Sequence, residues 1–105
     1  MEDRTNFGFD NAKTYLDNVI KGNEPNIIND IDIVENKQVA IDIAEIILFN
    51  FYGEDEILDE KPYEIYLINE IWVIFGTLPK NYLGGTFKIC INKKNGQVIS
   101  ICHDQ

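Results

Sequence analysis

Apolar residues change their period twice along the chain. Phe9, Ala12, Tyr15, Leu16, Val19 and Ile20 recur at helical spacing, Asp10 or Asn11 stands where an N-cap would, and Gly22 ends the pattern. This predicts a first amphipathic helix from about Asn11 to Lys21. From Asn23 to about Glu35 the period is lost. Pro25 and several Asn residues argue against continuous helix, and Ile27, Ile28, Ile31 and Ile33 are expected to pin an irregular connector to the body of the domain. Helical spacing returns at Val39, Ala40, Ile43, Ala44, Ile47 and Phe51. Ile46, Leu48 and Phe49 widen that stripe almost to the whole circumference. Asn36 is the expected N-cap, Tyr52 the last residue and Gly53 the stop in a left-handed turn. A helix so apolar is covered on most sides, and Ala40 and Ala44, one turn apart, suit a close approach to strands.

The second change of period comes at Lys61. From there to His103 nearly every β-favouring residue of the chain is found, broken by Pro62, Gly76, Pro79, Gly84, Gly85 and Asn95-Gly96. Four strands are predicted, about Tyr63 to Ile68, Ile71 to Thr77, Thr86 to Asn92 and Gln97 to Cys102. Asn69-Glu70 is short enough for a hairpin, and Lys94-Asn95-Gly96 suits a three-residue hairpin loop. Phe87, Ile89 and Ile91 alternate with Lys88, Cys90 and Asn92, as in a sheet with one buried and one wet side. Ile71-Trp72-Val73-Ile74-Phe75 does not alternate. It reads either as a central strand covered on both sides or as a surface patch for a protein partner. The expected architecture is α+β: two N-terminal helices packed on a curved four-stranded antiparallel sheet. It forms a single domain over 1–105, divided into helix and connector (1–35), main helix (36–53) and meander (61–103).

The two cysteines fall on the last two strands. Pairing Ile91 with Ile99 and Ile89 with Ile101 sets Cys90 opposite Ser100 and Cys102 opposite Lys88, so the thiols are diagonal neighbours about 7 Å apart. A disulfide needs Cβ atoms about 3.8 Å apart, which predicts two free thiols. Two cysteines and one histidine do not make a metal-ligand set, and no metal or cofactor is expected. His103, three residues from the end of the sequence, reads as an exposed terminal side chain.

Charge narrows the partner class. Nine basic and 18 acidic residues give a net charge of -9, a field that repels nucleic acid and anionic membrane and attracts a basic protein. Five acids, Glu54, Asp55, Glu56, Asp59 and Glu60, crowd into GEDEILDE. This run reads as a solvated loop or as an acidic contact surface whose carboxylates occupy a partner's phosphate-binding Arg and Lys sites. It lacks the ligand spacing of an EF-hand. No apolar segment approaches the roughly 20 residues of a membrane span, and the polar start MEDRTNFGFDNAK carries no apolar signal core. A cytoplasmic protein is expected.

The ordered combination of an Ala-Ile-x-Ile-Ala-Glu helix ending Tyr52-Gly53, then Lys61-Pro62-Tyr63, Trp72-Val73-Ile74-x-Gly76-Thr77-Leu78-Pro79, Gly84-Gly85 and an Asn-Gly hairpin closing on Ile101-Cys102-His103 resembles a known family. It is similar to the bacterial immunity proteins of polymorphic toxin systems with a nuclear-transport-factor-2-like (cystatin-like) fold. The likeness runs from about Gln38 to His103. It implies an immunity protein that neutralises a cognate toxin by direct binding, with no catalytic residues and no cofactor. The partner-binding candidates, read from the charge cluster, are Glu54, Asp55, Glu56, Asp59 and Glu60; the alternative contact is the loop from Lys80 to Leu83, with Tyr82 as aromatic anchor. A monomer or weak homodimer is expected. The alternative is a small-ligand-binding or enzymatic member of the same fold with a pocket between helix and sheet. Its only conceivable bases are Asp42 and Glu45, which solvent exposure explains more simply. No Ser-His-Asp, Cys-His or glycine-rich phosphate motif is present.

Overall fold

The computed structural model describes residues 3–104. Helix α1 (Gly8–Ile20) is followed by a 3-10 turn (Ile27–Asn29), α2 (Lys37–Tyr52), a short α3 (Glu54–Leu58) and strands β1 (Glu64–Ile68), β2 (Ile71–Phe75), β3 (Phe87–Asn92) and β4 (Val98–His103). The strands form one antiparallel meander in the order β1-β2-β3-β4. The α+β class and the four predicted strands are observed, each end within two residues of expectation.

Helix α2 lies on one face of this sheet. Asn36 caps it as predicted, its side chain accepting the Val39 N–H at 3.0 Å. Ala40, Ala44 and Leu48 are buried against Trp72, Ile74, Phe87, Ile89 and Ile91, so side chains fill the space between helix and sheet. Fully burying side chains of this size contributes about 1.5–3 kcal/mol each, and the row makes this interface the centre of the fold. Phe51 and Ile46, counted in the sequence stripe, are exposed. Gly53 ends the helix at φ 91°, ψ 141°, a positive-φ conformation outside the left-handed helical well that is open to glycine. On the other face of the central β2, Ile71, Val73 and Phe75 are only half-buried.

Three expectations fail. Helix α1 forms but starts earlier than predicted, with Phe7 in place of Asp10 or Asn11 at its N-cap, and it buries none of its residues. Asn11 instead donates to the Phe7 carbonyl at 2.7 Å. Helix α2 fills the buried face of the sheet and leaves α1 no place there, and α1 does not pack on the opposite face either, where Ile71, Val73 and Phe75 stay half-buried. The Cα radius of gyration, 18.3 Å, exceeds the value of about 13 Å usual for a compact chain of this length, in keeping with an α1 that stands off the body.

The connector is held by Val34, which is fully buried, while Ile27, Ile31 and Ile33 stay exposed and Ile28 half-buried. The Ile33 and Val34 N–H groups donate to the carbonyls of Lys94 and Lys93 at 3.0 and 2.9 Å, and the Trp72 indole donates to the Val34 carbonyl at 2.9 Å.

The register of β3 with β4 holds for Cys90 with Ser100, Lys88 with Cys102 and Ile89 with Ile101. A bulge then sets Ile91 opposite Val98 rather than Ile99, which turns half-exposed. Both cysteines are free, as predicted. The β1–β2 hairpin turns on Asn69 and Glu70, both at positive φ (51° and 64°), the signature of a two-residue type I′ turn.

Candidate functional site

The acidic run is a helix rather than a loop. Gly53 separates α2 from α3, and the positive φ there turns the chain so that Glu54, Asp55 and Glu56 enter the first turn of α3, where negative side chains suit the helix dipole. Ile57 anchors the segment in the core at zero exposure. Glu60 lies three residues further on, in the turn that closes the helix through its N–H to the Ile57 carbonyl at 2.9 Å. The helical phase that buries Ile57 therefore carries Glu60 inward too. Glu54, Asp55, Glu56 and Asp59 remain exposed, but Glu60 retains only 2 % of its surface.

Buried Glu60 ties four segments together. Its Oε1 accepts the Phe87 N–H at 2.8 Å, and its Oε2 lies 2.8 Å from His103 Nε2. Its carbonyl accepts the Thr77 N–H at 2.8 Å, and the chain leaves it through the cis Lys61-Pro62 bond into β1. Gly76 has no room for a side chain beside this carboxylate: a Cβ there would stand 2.8 Å from Glu60 Cβ and 2.9 Å from the Phe87 ring, besides meeting Oε1. Close approach of Glu60 and Phe87 is what requires glycine at 76.

His103 is not the frayed terminal residue expected. It ends β4, paired with Phe87, and its inward position follows from Ile101 two residues earlier. Its side chain is 17 % exposed, with the Tyr52 ring 5.1 Å away between centroids. Nδ1 lies 2.7 Å from the Asp104 carbonyl, which can only accept, so Nδ1 carries a proton. Burial works against the charged ring, but the Glu60 hydrogen bond, the Asp104 carbonyl and the charges of Glu60 and Glu56 outweigh it and raise the His103 pKa. His103 is thus held between the buried Glu60 carboxylate at Nε2 and the Asp104 backbone carbonyl at Nδ1. Glu56 adds a second carboxylate, with Oε1 3.7 Å from Nε2.

The sequence candidates from two separate segments meet here. Glu56, Asp59, Glu60, Leu78, Pro79 and Tyr82 line one open groove of about 450 Å³. Tyr82 is 68 % exposed at its rim. Glu54 and Asp55 are exposed on α3 but do not line the groove. His103, expected as an exposed terminal side chain, and Glu60, expected at the surface with the other acids, are both drawn inward. The available signals were the phase shared with Ile57 and the alternation shared with Ile101.

The two carboxylates considered as bases have ordinary partners. Glu45 is largely shielded, accepts the Tyr63 hydroxyl at 2.8 Å and lies 3.7 Å from Lys61 Nζ, so it is a packed contact rather than a solvated one. Burial, the Glu45 hydrogen bond and the charges of Glu45 and Glu60 push the Tyr63 pKa far up, which keeps its hydroxyl a donor. Asp42 is exposed and accepts from Gln38 at 2.8 Å. Among the described residues no helix is long and apolar enough to cross a membrane.

Comparison with known proteins supplies the family. The family model described as NTF2 fold immunity protein matches residues 39–105, the stretch that contains α3, the groove and the whole sheet. An uncharacterized protein of Escherichia coli K12, YhhH, is 40% identical over 73 residues, covering 69% of this chain and 58% of its own length. A second, YbbC, is 42% identical over 73 residues, covering 69% of this chain and 60% of its own. The chain thus spans about three-fifths of the length of these curated relatives. No solved structure matches it. With its family match extending over the main helix, the acidic helix and all four strands, the chain belongs to the NTF2-fold immunity proteins.

Proposed function

We propose that the protein neutralises a cognate toxin by binding it in the bacterial cytoplasm, without a catalytic step, and that the toxin is met by the α3 edge and the groove beside it. The observation that carries this is the meeting of exposed acids with an exposed tyrosine at one groove. A basic partner's Lys or Arg can lay its stem along Leu78, Pro79 and the Tyr82 face and place its charge among Glu56 and Asp59. Glu60 belongs to the wall of this groove rather than to the contact, because its oxygens are taken by Phe87 and His103. The net charge of -9 supplies long-range attraction for a basic toxin, and family membership supplies the class of activity.

Co-expression with the cognate toxin, sought by screening the products of genes neighbouring this chain's own, tests both parts. Cells that make the chain should survive the toxin and cells without it should not. Failure of protection would overturn the function. A variant with Lys at Glu54, Asp55 and Asp59, shown to melt like wild type, should associate more slowly at low salt. Full protection with unchanged association would put the contact elsewhere on the domain.

A further inference from the structure

We infer that Glu60, His103 and Glu56 form a binding site for one divalent transition-metal ion, zinc being the one their chemistry fits best. One ligand atom from each of the three lies within 4.8 Å of the other two. Zinc takes imidazole nitrogen and carboxylate oxygen at about 2.0–2.2 Å, so neighbouring ligand atoms around a tetrahedral ion sit about 3.4 Å apart. His103 Nε2 is 2.8 Å from Glu60 Oε2 and 3.7 Å from Glu56 Oε1, which brackets that separation. Glu56 makes the remaining adjustment. Its side chain is 60 % exposed and free to swing inward.

The two inner ligands are already held by their far atoms. The Asp104 carbonyl takes the Nδ1 proton of His103 at 2.7 Å and leaves Nε2 as the ligand nitrogen. The Phe87 N–H binds Oε1 of Glu60 at 2.8 Å and leaves Oε2 as the ligand oxygen. Outer-shell bonds of this kind fix the orientation of ligands in zinc sites. Here β3, β4 and the α3 turn supply them. Access exists on the Glu56 side, where a second groove, of about 400 Å³, is lined by Phe51, Tyr52, Glu56 and His103. A water entering there completes four-coordination.

The competing occupant is a proton. The same Nε2-to-Oε2 contact serves an imidazolium–carboxylate pair, so metal and proton exclude one another at Nε2. That competition gives the inference its signature. When zinc replaces the proton, the Nε2–H bond breaks, the nitrogen lone pair goes to the metal and the proton goes to buffer. The inference shares Glu56 with the proposed toxin contact, but its test uses zinc alone and is read without a toxin.

The test is zinc titration of the full chain carrying Cys90→Ser and Cys102→Ser, which removes the other soft ligands. Calorimetry in buffers of different ionisation enthalpy should show one ion bound per chain with release of a proton, and melting curves should show a raised melting temperature. His103→Gln should abolish binding. Because His103 also holds β4, Glu56→Gln serves as the second variant, changing an exposed side chain and leaving the buried pair intact; it should weaken zinc affinity at least tenfold. Absence of saturable binding overturns the inference, as does binding that persists in His103→Gln. So does an unchanged affinity in Glu56→Gln.

Discussion

Replacing Glu60 by Gln should destabilise the domain in a pH-dependent way. Gln keeps the size of the side chain and an oxygen for the Phe87 N–H, but it removes the charge opposite His103. The side chains concerned are 3 % and 17 % exposed, so water replaces little of what is lost. A hydrogen bond to a charged group contributes about 1.5–3 kcal/mol. His103 can shed its proton in the variant, which limits the loss, and about 2 kcal/mol is expected at pH 6. At roughly 4 °C per kcal/mol for a domain of this size, the melting temperature should fall by about 8 °C.

The pH dependence follows from the direction of the His103 shift. Burial opposes the charged ring, yet Glu60, the Asp104 carbonyl and Glu56 together raise its pKa in the folded protein. Stability from such a group is complete below its unfolded value of about 6.5 and is lost as pH rises through the raised folded value. The gap between wild type and Glu60→Gln should therefore be widest near pH 6 and shrink towards pH 9. Melting curves by circular dichroism across this range, with His103→Gln completing a double-mutant cycle, measure it. A gap of the same size at pH 6 and pH 9, or additive single effects in the cycle, would refute the charged-pair reading.

Other outcomes are expected from the same structure. Ala44→Asp places an unpaired carboxylate at a position 2 % exposed between α2 and the sheet, and should cost at least about 3 kcal/mol; a midpoint within two or three degrees of wild type would mean that α2 does not lie there. Asn36→Ala removes the hydrogen bond to the Val39 N–H and should cost about 1 kcal/mol in denaturant melts, with Asn36→Asp near neutral. In native labelling Cys102, exposed, should react faster than half-buried Cys90, and both should react once the chain is denatured without reductant; a disulfide recovered from fresh lysate would contradict the strand register.

The sheet was legible because alternation and turn chemistry act locally. Phe87, Ile89 and Ile91 announce an inner face, and Asn95-Gly96 announces a hairpin, whatever the rest of the chain does. The bulge at Ile99 was not legible, since an inserted residue leaves the apolar character of Ile91, Val98 and Ile99 unchanged. The fate of α1 was hidden for a different reason. Its apolar stripe states that the helix has a face to bury but not which surface receives it, and α2 already fills one face of the sheet. The acids of the candidate site were visible as a cluster, but their division was not. Composition groups Glu60 with Glu54, Asp55, Glu56 and Asp59, whereas the phase set by Ile57 separates them into one buried hub and four exposed charges. Tyr82 joined the acids through folding alone, by the path of the chain between β2 and β3.

The most direct test is the association of the purified chain with its cognate toxin, sought among the products of the genes neighbouring its own and followed by stopped flow across a salt series. The account predicts a tight complex whose association rate falls steeply as salt rises, because the Debye length is about 10 Å at 0.1 M and shrinks beyond it. With Lys at Glu54, Asp55 and Asp59, the rate at low salt should drop at least tenfold and converge with wild type at high salt. A toxin that forms no complex with the chain, while its activity is undiminished in the chain's presence, would contradict the central claim.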